Sequence, residues 1–540
     1  MKKRILCMLL AGTMVLSLFA GCGKKTNGEA NSGETAKLTV GIPVNPQVSS
    51  YDDNAFTKYL EETANVEIEF VSFANSSKDY IQQLTLMASG NETLPDVLIG
   101  FNGMPHYTMN EFGEDGYFID LTDLIKEHAP NYKAQLKKLP ENDREYIQKK
   151  AKNMENGEIY GMPYKSVTAI DNNQGMLYIN QNWLDKLGLQ IPKTTDELYN
   201  VCKAFATQDP NGNGQKDEIP MLSSAKGMYD ITNYIVNAFV YYDSYAPFNV
   251  TNGKVWAPLA SDEYRDSLIY MKNLYKEGLL SDLCFTISAS SEFVSLITPS
   301  TNVAKVGIWA GHPEVMTSVE STILDQYTAL PALSDATGKG GYDVIREDDL
   351  IFSSFITKDC KNKEAAMRLL DAFYIDETVI RMRHGEKGVD WVEGNGVNMC
   401  GSASIISPIN SQAFFTGNST WCHLGASILT QENYLAIIDT SIGGRIAEAG
   451  RMELETYKLM ENAKKPKETG TQLVYTADEY QVRNDYATLY SEFVLEQKSL
   501  FIAGNQDPSK DSDWNRYLQS LDTMKQNELM EVVQAAYDRK

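Results

Sequence analysis

Near the start of the sequence, strand-like and helix-like patterns alternate, and this alternation constrains the fold more than any other feature. The segments 38–43, 66–71 and 95–100 are short and apolar, and in 66–71 apolar and acidic side chains alternate. The segments 55–64 and 79–87 lie between them and carry apolar residues at helical spacing. Strand, helix, strand, helix and strand within about sixty residues predict an α/β domain with a mainly parallel sheet.

The same alternation continues along the chain. We predict strands at 176–180 and 304–308, and helices at 264–277, at 364–373 and from Thr194 onwards, with Thr195 as the N-cap. The C-terminal part of the sequence has mainly helical spacing. These elements extend the α/β pattern to most of the chain.

The predicted strand 95–100 marks one wall of a candidate ligand site. In parallel α/β sheets, ligands gather beyond the carboxyl ends of the strands. Phe101 and Asn102 follow this strand directly, so we expect Asn102 to face a ligand. Tyr164, at the end of the extended motif GEIYGMPY, is a further candidate ligand-binding residue.

The N-terminus has the pattern of a secretion signal. Basic residues at 2–4 precede an apolar run that is too short and wrongly flanked for a transmembrane helix. The run ends in small residues before Cys22, which resembles the lipobox of bacterial lipoproteins, although Phe19 stands where Leu is usual. We predict a lipoprotein signal over 1–21. A plain signal peptide with a chance cysteine is the alternative.

The residues after the predicted signal are polar and rich in Gly, Ser, Asn and Thr, which is typical of a flexible tether. We therefore predict a lipid-anchored tether over 22–37. The anchor would hold the protein at the extracellular face of the cell membrane, because two acyl chains suffice for stable attachment.

The charge of the chain limits its partners. The sequence has 72 acidic and 49 basic side chains, for a net charge of -23. A surface this negative repels the phosphate backbone of nucleic acids and an anionic membrane surface. We expect a monomer without a nucleic-acid partner, attached to the membrane through lipid rather than through charge.

The segment 209–218, with the sequence DPNGNGQKDE, predicts a calcium site. Oxygen-bearing side chains occupy positions 1, 3 and 5, and Gly214 occupies position 6, as at the start of a calcium loop. Position 12 is Pro220 instead of the usual Glu, so the carboxylates of positions 9 and 10 would complete the site. The candidate ligands of a structural Ca²⁺ are Asp209, Asn211, Asn213, Gln215, Asp217 and Glu218. A solvated polar turn is the alternative.

Motifs at 157–164, 177–220, 270–282, 385–391 and 501–504 carry a resemblance to a known family. Together they resemble those of the extracellular solute-binding proteins of bacterial sugar and polysaccharide importers, especially the alginate-binding lipoprotein subgroup. The resemblance implies a type II clamp, in which two α/β lobes joined by hinge strands close on a ligand. It also implies that the segment 209–218 binds calcium.

The resemblance implies how the chain is divided and what it does. We expect an N-terminal lobe from 38–165 plus 303–358, and a C-terminal lobe from 166–302 plus 359–540. The protein would capture an oligosaccharide and deliver it to the permease subunits of an ABC importer. A peptide or another polar solute is the alternative ligand.

Tryptophans are the candidates for stacking on sugar rings, whose C–H faces favour flat aromatic surfaces. Trp309 follows a predicted strand, Trp391 closes the motif GEKGVDW, and Trp421 lies in a polar segment. We predict these three as ligand-binding residues. Packing in a core is the alternative for each.

The sequence contains no motif of a known catalytic site. It has no G-x-S-x-G elbow, no P-loop and no H-E-x-x-H, and its five histidines are irregularly spaced. A glycan-active enzyme would need two carboxylates at a defined separation, and no such pair stands out. We therefore expect a binding protein rather than an enzyme.

Overall fold

Two β-sheets, each with its own hydrophobic core, organise the chain in this computed structural model. The structure describes residues 35–166, 176–224, 230–287, 290–313, 322–343, 350–398, 402–410, 418–422, 424–429 and 444–540. Within this range, Ala36–Lys540 forms one compact unit. The predicted signal 1–21, Cys22 and the tether up to residue 34 lie outside the described residues.

The strands are short, as is usual for α/β folds. They are β1 (Ala36–Pro43), β2 (Val66–Phe73), β3 (Val97–Ile99), β4 (Met162–Ser166), β5 (Leu177–Asn180), β6 (Ile219–Leu222), β7 (Asn249–Thr251), β8 (Lys254–Trp256), β9 (Val306–Ala310), β10 (Tyr327–Ala329), β11 (Ile351–Ile356), β12 (Trp391–Glu393), β13 (Ile406–Pro408) and β14 (Ser427–Leu429).

Helices cover the sheets and form most of the C-terminal part. They are α1 (Ala55–Ala64), α2 (Ser77–Ser89), α3 (His106–Glu114), α4 (Thr122–His128), α5 (Pro130–Lys138), α6 (Glu141–Lys150), α7 (Gln181–Leu187), α8 (Thr195–Thr207), α9 (Ile231–Asn237), α10 (Asp262–Lys276), α11 (Ser290–Ile297), α12 (Lys363–Ala372), α13 (Asp376–His384), α14 (Gly444–Glu461), α15 (Ala477–Ile502), α16 (Asp511–Thr523) and α17 (Gln526–Asp538).

The predicted elements near the N-terminus are confirmed. Helix α1 has the predicted bounds because the Asn54 side chain accepts a hydrogen bond from the Phe56 N–H, while Asn65 ends the helix in the left-handed conformation. Its buried face includes Phe56 and Leu60. Strand β1 begins at Ala36, so the last two residues of the predicted tether 22–37 belong to the sheet.

The first sheet has six strands in the order β14-β4-β11-β3-β1-β2 and is mixed. Strands β2, β1 and β3 are parallel, as predicted, and so are β4 and β14. Strand β11 runs antiparallel to both of its neighbours. The parallel part carries the strand ends from which the candidate site is built.

The second sheet has four strands in the order β10-β5-β9-β6, and here the expectation of a mainly parallel sheet needs correction. Only β6 and β9 are parallel, whereas β5 is antiparallel to both β9 and β10. Strands β5 and β10 are the first and the last strands of this sheet along the chain, and as antiparallel neighbours they run in opposite directions.

The two cores divide the chain differently from the expected lobe boundaries. Strand β9, within the segment 303–358, pairs with β5 and β6 and lies in the second core. Helix α12, within the segment 359–540, lies in the first core. The reason is that the chain returns to the first sheet between β10 and β11, and later at β14. The closure of two lobes as a clamp stays a prediction.

The predicted helical C-terminal part is confirmed by α14 to α17. Helix α15 begins with a capping box, in which Thr476 accepts from the Glu479 N–H and Glu479 accepts from the Thr476 N–H. This fixes the start of the helix that borders the candidate site. None of the described helices is both long and apolar enough to cross a membrane.

Candidate functional site

The loop after β3 lies at the carboxyl edge of the first sheet, where the sequence predicted a ligand. Gly100 has a positive φ of 86°, and a Cβ there would lie 3.0 Å from Leu424, so the position requires glycine. The Gly103 N–H donates to the Tyr80 hydroxyl at 2.8 Å and fixes the far end of the loop. Asn102 lies between these two anchors, and no described residue hydrogen-bonds to its buried Oδ1.

Helix α15 faces this loop across an open groove of about 370 Å³. Asn102 and His106 line one side, and Tyr480 and Arg483 line the other. A smaller groove of about 90 Å³, bordered by Tyr475, adjoins the first one because both share Arg483. Amide, phenol and guanidinium groups therefore converge on one surface between the strand-end loop and α15.

A buried lysine holds the two sides of the groove together. Lys150 ends α6 in the first-core half of the molecule and is 0% exposed. Its ammonium donates to the Leu473 carbonyl at 3.0 Å and to the Tyr480 hydroxyl at 2.9 Å. The Lys150 carbonyl is hydrogen-bonded to His106 Nε2 at 3.0 Å. One residue thus positions groove-lining side chains from both sides.

The aromatic rings around this ammonium strengthen the contact. The Lys150 Nζ lies 5.5 Å from the ring centroid of Tyr480 and 6.0 Å from that of Tyr475. A cation within about 6 Å of an aromatic face is attracted by the ring quadrupole. Hydrogen bonds and rings together account for how a lysine is accommodated without solvent.

Sequence reasoning missed Lys150, Tyr475, Tyr480 and Arg483. Lys150 ends a polar helix whose other lysine, Lys149, is exposed, so nothing in the sequence distinguishes it. Tyr480 and Arg483 are three residues apart on α15 and therefore share a helical face, which is the one available signal. This spacing does not indicate which part of the protein the helical face contacts.

Trp309 lies at the end of β9, as predicted, but its ring is enclosed by protein. It is 0% exposed, and its ring centroid lies 4.7 Å from Tyr178 and 5.8 Å from Tyr327. The indole N–H is buried, and no described residue accepts a hydrogen bond from it. Contact with a sugar would require these neighbours to move, so a ligand role for Trp309 stays a prediction.

Trp391 and Trp421 are also buried. The Trp391 indole donates to the Gly385 carbonyl at 2.9 Å and packs in a small cluster beside β12 and β13. Trp421 lies in the first core, where its indole donates to Thr57 Oγ1 at 2.9 Å. Their ligand roles remain predictions, and in this structure both rings serve packing.

Tyr164 lies on β4, where it is paired with Ile351 on one side and Ser427 on the other. It is partly exposed. Strand β4 is the last element of the first sheet before the chain crosses towards β5, so Tyr164 lies close to the connection between the two cores. Its proposed contact with a ligand is untested.

The predicted calcium loop connects α8 to β6 and folds around its own side chains. Asp209 accepts hydrogen bonds from the N–H groups of Gly212 at 2.9 Å and Gly214 at 3.1 Å. Asn211 and Asn213 each accept from the N–H two residues further on. Such turns hold the loop in a compact shape.

Asp217 is the centre of the loop's polar contacts. The side-chain amides of Asn211 and Asn213 donate to its Oδ1 at 3.1 and 3.0 Å, and Lys305 lies 2.8 Å from its Oδ2. The hydrogen bond from Lys305 is the main reason why the pKa of Asp217 falls to about 2. Asp217 is therefore ionised at neutral pH.

Glu218 lies beside Asp217 with an unsatisfied oxygen. Its Oε1 is buried, and no described residue donates to it. Burial, together with the negative charges of Asp209 and Asp217, raises the pKa of Glu218. The loop therefore combines the negative charges of Asp209, Asp217 and Glu218 with one buried carboxylate oxygen that lacks a described donor.

The donor set suits calcium rather than a softer metal. Among the described residues, no group of three or more His, Cys, Asp or Glu side chains converges as a metal cluster. Calcium, however, also accepts amide and backbone carbonyl oxygens, which the loop supplies at Asn211, Asn213 and Gln215. The residues present therefore fit a Ca²⁺ ion.

Comparisons with known proteins show the family and the fold to which this chain belongs. The family model for bacterial extracellular solute-binding proteins matches residues 45–378. This match covers more than half of the sequence. The chain belongs to the bacterial extracellular solute-binding protein family.

The individual relatives have low sequence identity to this chain. The fructooligosaccharide ABC transporter substrate-binding protein FusA of Streptococcus pneumoniae is 28% identical over 403 residues, which cover 70% of each chain. The polygalacturonan/rhamnogalacturonan-binding protein YtcQ of Bacillus subtilis is 25% identical over 407 residues, covering 73% of this chain and 75% of the relative. Both are named as binding proteins.

Two solved structures share the fold. An EF-hand mutant of S. pneumoniae FusA in complex with fructo-nystose aligns with a TM-score of 0.72 and 22% identity, covering 93% of this chain and 99% of FusA. The alginate-binding protein AlgQ2 without calcium ion aligns with a TM-score of 0.65 and 20% identity, covering 94% and 99%. These likenesses confirm the α/β solute-binding fold.

Replacing Lys150 tests whether it holds the groove together. We expect Lys150→Met to lower the free energy of unfolding by about 1–3 kcal/mol, because the buried Leu473 carbonyl loses its donor. Urea denaturation measures this change. Lys149→Met is the matched control, since the Lys149 side chain is exposed and donates only to the Arg539 carbonyl at 3.2 Å. Equal denaturation midpoints for the two variants would contradict the role given to Lys150.

Proposed function

We propose that the protein captures an oligosaccharide at the groove between the strand-end loop and α15 and delivers it to the permease subunits of an ABC importer. The groove itself carries this proposal, because it brings Asn102, Tyr480 and Arg483 together at the carboxyl edge of the first sheet. Amides and guanidinium groups hydrogen-bond sugar hydroxyls, and rings pack on sugar C–H faces. Family membership, and relatives named for fructooligosaccharide and polygalacturonan binding, support a glycan as the ligand.

Capture would involve two lobes built on the two sheets. The chain connects the two sheets between β4 and β5, between β10 and β11 and after β14, and the described strands that border these connections would carry the hinge. Closure brings the walls of a cleft together, and the ligand stabilises the closed form by contacting both. Tyr164, beside the first connection, would contact the ligand near the hinge.

A thermal-shift screen tests the proposed ligand class. The purified protein is mixed with neutral and acidic oligosaccharides and with peptides, in the presence of calcium. A ligand at a hundredfold its dissociation constant stabilises the folded state by about 2.7 kcal/mol, which raises the melting temperature measurably. We expect saturable stabilisation by one class of glycan and no product by chromatography. Stabilisation by peptides alone, or turnover of a glycan, would contradict the proposal.

We further propose that the loop 209–218 binds a structural Ca²⁺. Asp209, Asn211, Asn213, Asp217 and Glu218 would offer side-chain oxygens, and Gln215 its carbonyl. The buried Oε1 of Glu218, which lacks a described donor, supports this assignment. The solved relatives described as an EF-hand mutant and as a protein without calcium ion support it as well. The ion would neutralise three carboxylates and fix the connection from α8 to β6 in the second core.

Calcium removal tests this site. We expect a chelator to lower the melting temperature, because an ion bound to the folded state alone stabilises that state. Added Ca²⁺ should restore the temperature, and Glu218→Gln should weaken the restoration because the site loses a charge. Glu492→Gln, on the exposed face of α15, is the matched control. An unchanged melt after calcium removal would refute the assignment.

The protein would work at the outer face of the cell membrane, held there by lipid on Cys22. The apolar run before Cys22 and the polar residues after it support this proposal. A tether would let the folded part reach the importer while remaining in water.

Labelling with an alkyne-bearing fatty acid in a bacterial host tests the anchor. We expect label on the wild-type protein and on Cys7→Ser, since Cys7 lies within the predicted signal. Cys22→Ser should lose the label and leave the membrane fraction. Label retained by Cys22→Ser would contradict the proposed anchor.

A further inference from the structure

The groove and its smaller neighbour are unusual in their charge. Both are bordered by Arg483, and none of the described residues that line them is an aspartate or glutamate. Arg483 is the one side chain among these lining residues with a permanent charge. The chain carries 72 acidic residues and a net charge of -23. The grooves, with a single cation and no carboxylate among their described lining residues, therefore differ in charge from the strongly acidic chain as a whole.

The guanidinium of Arg483 lies over an aromatic ring. Its guanidinium carbon lies 4.1 Å from the ring centroid of Tyr475, a distance at which a planar cation stacks on the ring. Stacking on one face leaves the N–H donors at the edge of the guanidinium directed sideways. Within the described part of the chain, no carboxylate forms an ion pair with Arg483.

The carboxylate expected to pair with Arg483 is engaged elsewhere. Glu479 lies four residues earlier on α15, which is the favourable spacing for a Glu–Arg pair on a helix. Instead, Glu479 binds the guanidinium of Arg539 through both of its oxygens and caps the Thr476 N–H. Asp485, on the same helix, accepts a hydrogen bond from Gln481 at 2.9 Å. The helix thus leaves Arg483 available at the groove.

We propose that Arg483 binds a carboxylate of the captured ligand, so that the protein selects an acidic oligosaccharide containing uronic acid. A guanidinium presents paired donors whose spacing matches the two oxygens of a carboxylate, and this pairing is stronger than a neutral hydrogen bond. Asn102 and Asn484, which line the same groove, would bind neighbouring hydroxyls. This inference rests on the proposed oligosaccharide function and names the chemical class of the ligand.

The negative charge of the rest of the protein also favours an acidic ligand at this groove. A strongly negative protein repels an acidic glycan from most of its surface. No carboxylate lines the grooves beside Arg483 in the described part of the chain, so the repulsion is reduced there and one cation attracts the ligand. A neutral glycan would form only the weaker hydrogen bonds between the Arg483 guanidinium and sugar hydroxyls.

Binding measurements on the complete chain, purified in mild detergent with calcium, test the inference. The probes are oligosaccharides of galacturonic, glucuronic and mannuronic acid, their methyl esters, neutral fructo-oligosaccharides, and short peptides as free acids and as amides. Isothermal titration calorimetry gives the affinities of the wild type and of Arg483→Gln and Arg483→Lys. Arg516→Gln is the matched control, because Arg516 is exposed on α16 and pairs with Asp513 of the same helix, outside α15.

We expect an acidic oligosaccharide to bind best and its methyl ester to bind at least about tenfold more weakly, because a charge-assisted pair is lost. Arg483→Gln should remove this preference, Arg483→Lys should restore part of it, and Arg516→Gln should leave it unchanged. Unchanged melting temperatures of the Arg483 variants would show that folding is intact.

Other outcomes distinguish this inference from the proposed function. Tight binding of a neutral glycan, independent of Arg483, would overturn the inference and leave the oligosaccharide function intact. Binding of peptide acids but not amides, with the same dependence on Arg483, would overturn the glycan as the source of the carboxylate. Binding of none of these probes would overturn the proposed function and this inference with it.

Discussion

The candidate site depends on one buried contact, the ammonium of Lys150 with the Leu473 carbonyl and the Tyr480 hydroxyl. Burying a lysine costs free energy unless its N–H donors form hydrogen bonds. Lys150 therefore keeps the Leu473 carbonyl and the Tyr480 hydroxyl within hydrogen-bonding distance. Because Lys150 ends α6 and Tyr480 lies on α15, the contact sets the distance between the strand-end loop and the helix that faces it. The width of the groove, and the access of Arg483 to it, follow from that distance.

The elements of the fold were largely predictable from the sequence, whereas the surface of the site was not. Helix α1 and strands β1 to β3 follow from periodicity and capping, because local patterns decide them. The antiparallel β5 and the place of β9 in the second core depend on where the chain crosses between sheets. No local pattern records such a crossing.

The calcium loop and the groove differ in the same way, because the first is built from neighbouring residues and the second from distant ones. The loop 209–218 uses neighbouring residues, so its spacing could be read directly, and the structure shows Asp209, Asn211 and Asn213 folding the loop on itself. The groove brings together Asn102 and Arg483, which are far apart in the sequence. Trp309, Trp391 and Trp421 are buried in this structure, where a large apolar ring gains free energy from its removal from water, and their ligand roles stay predictions. Aromatic composition alone could not identify Tyr475 and Tyr480 as the rings beside the groove.

The central claim is that a glycan binds between the loop after β3 and the start of α15. Amide hydrogen exchange, followed by mass spectrometry with and without a saturating oligosaccharide, tests it most directly, since ligand contacts reduce local opening. We predict slower exchange in both 100–106 and 477–488, which lie on opposite sides of the groove. Protection confined to other segments, with these two unchanged, would contradict the account.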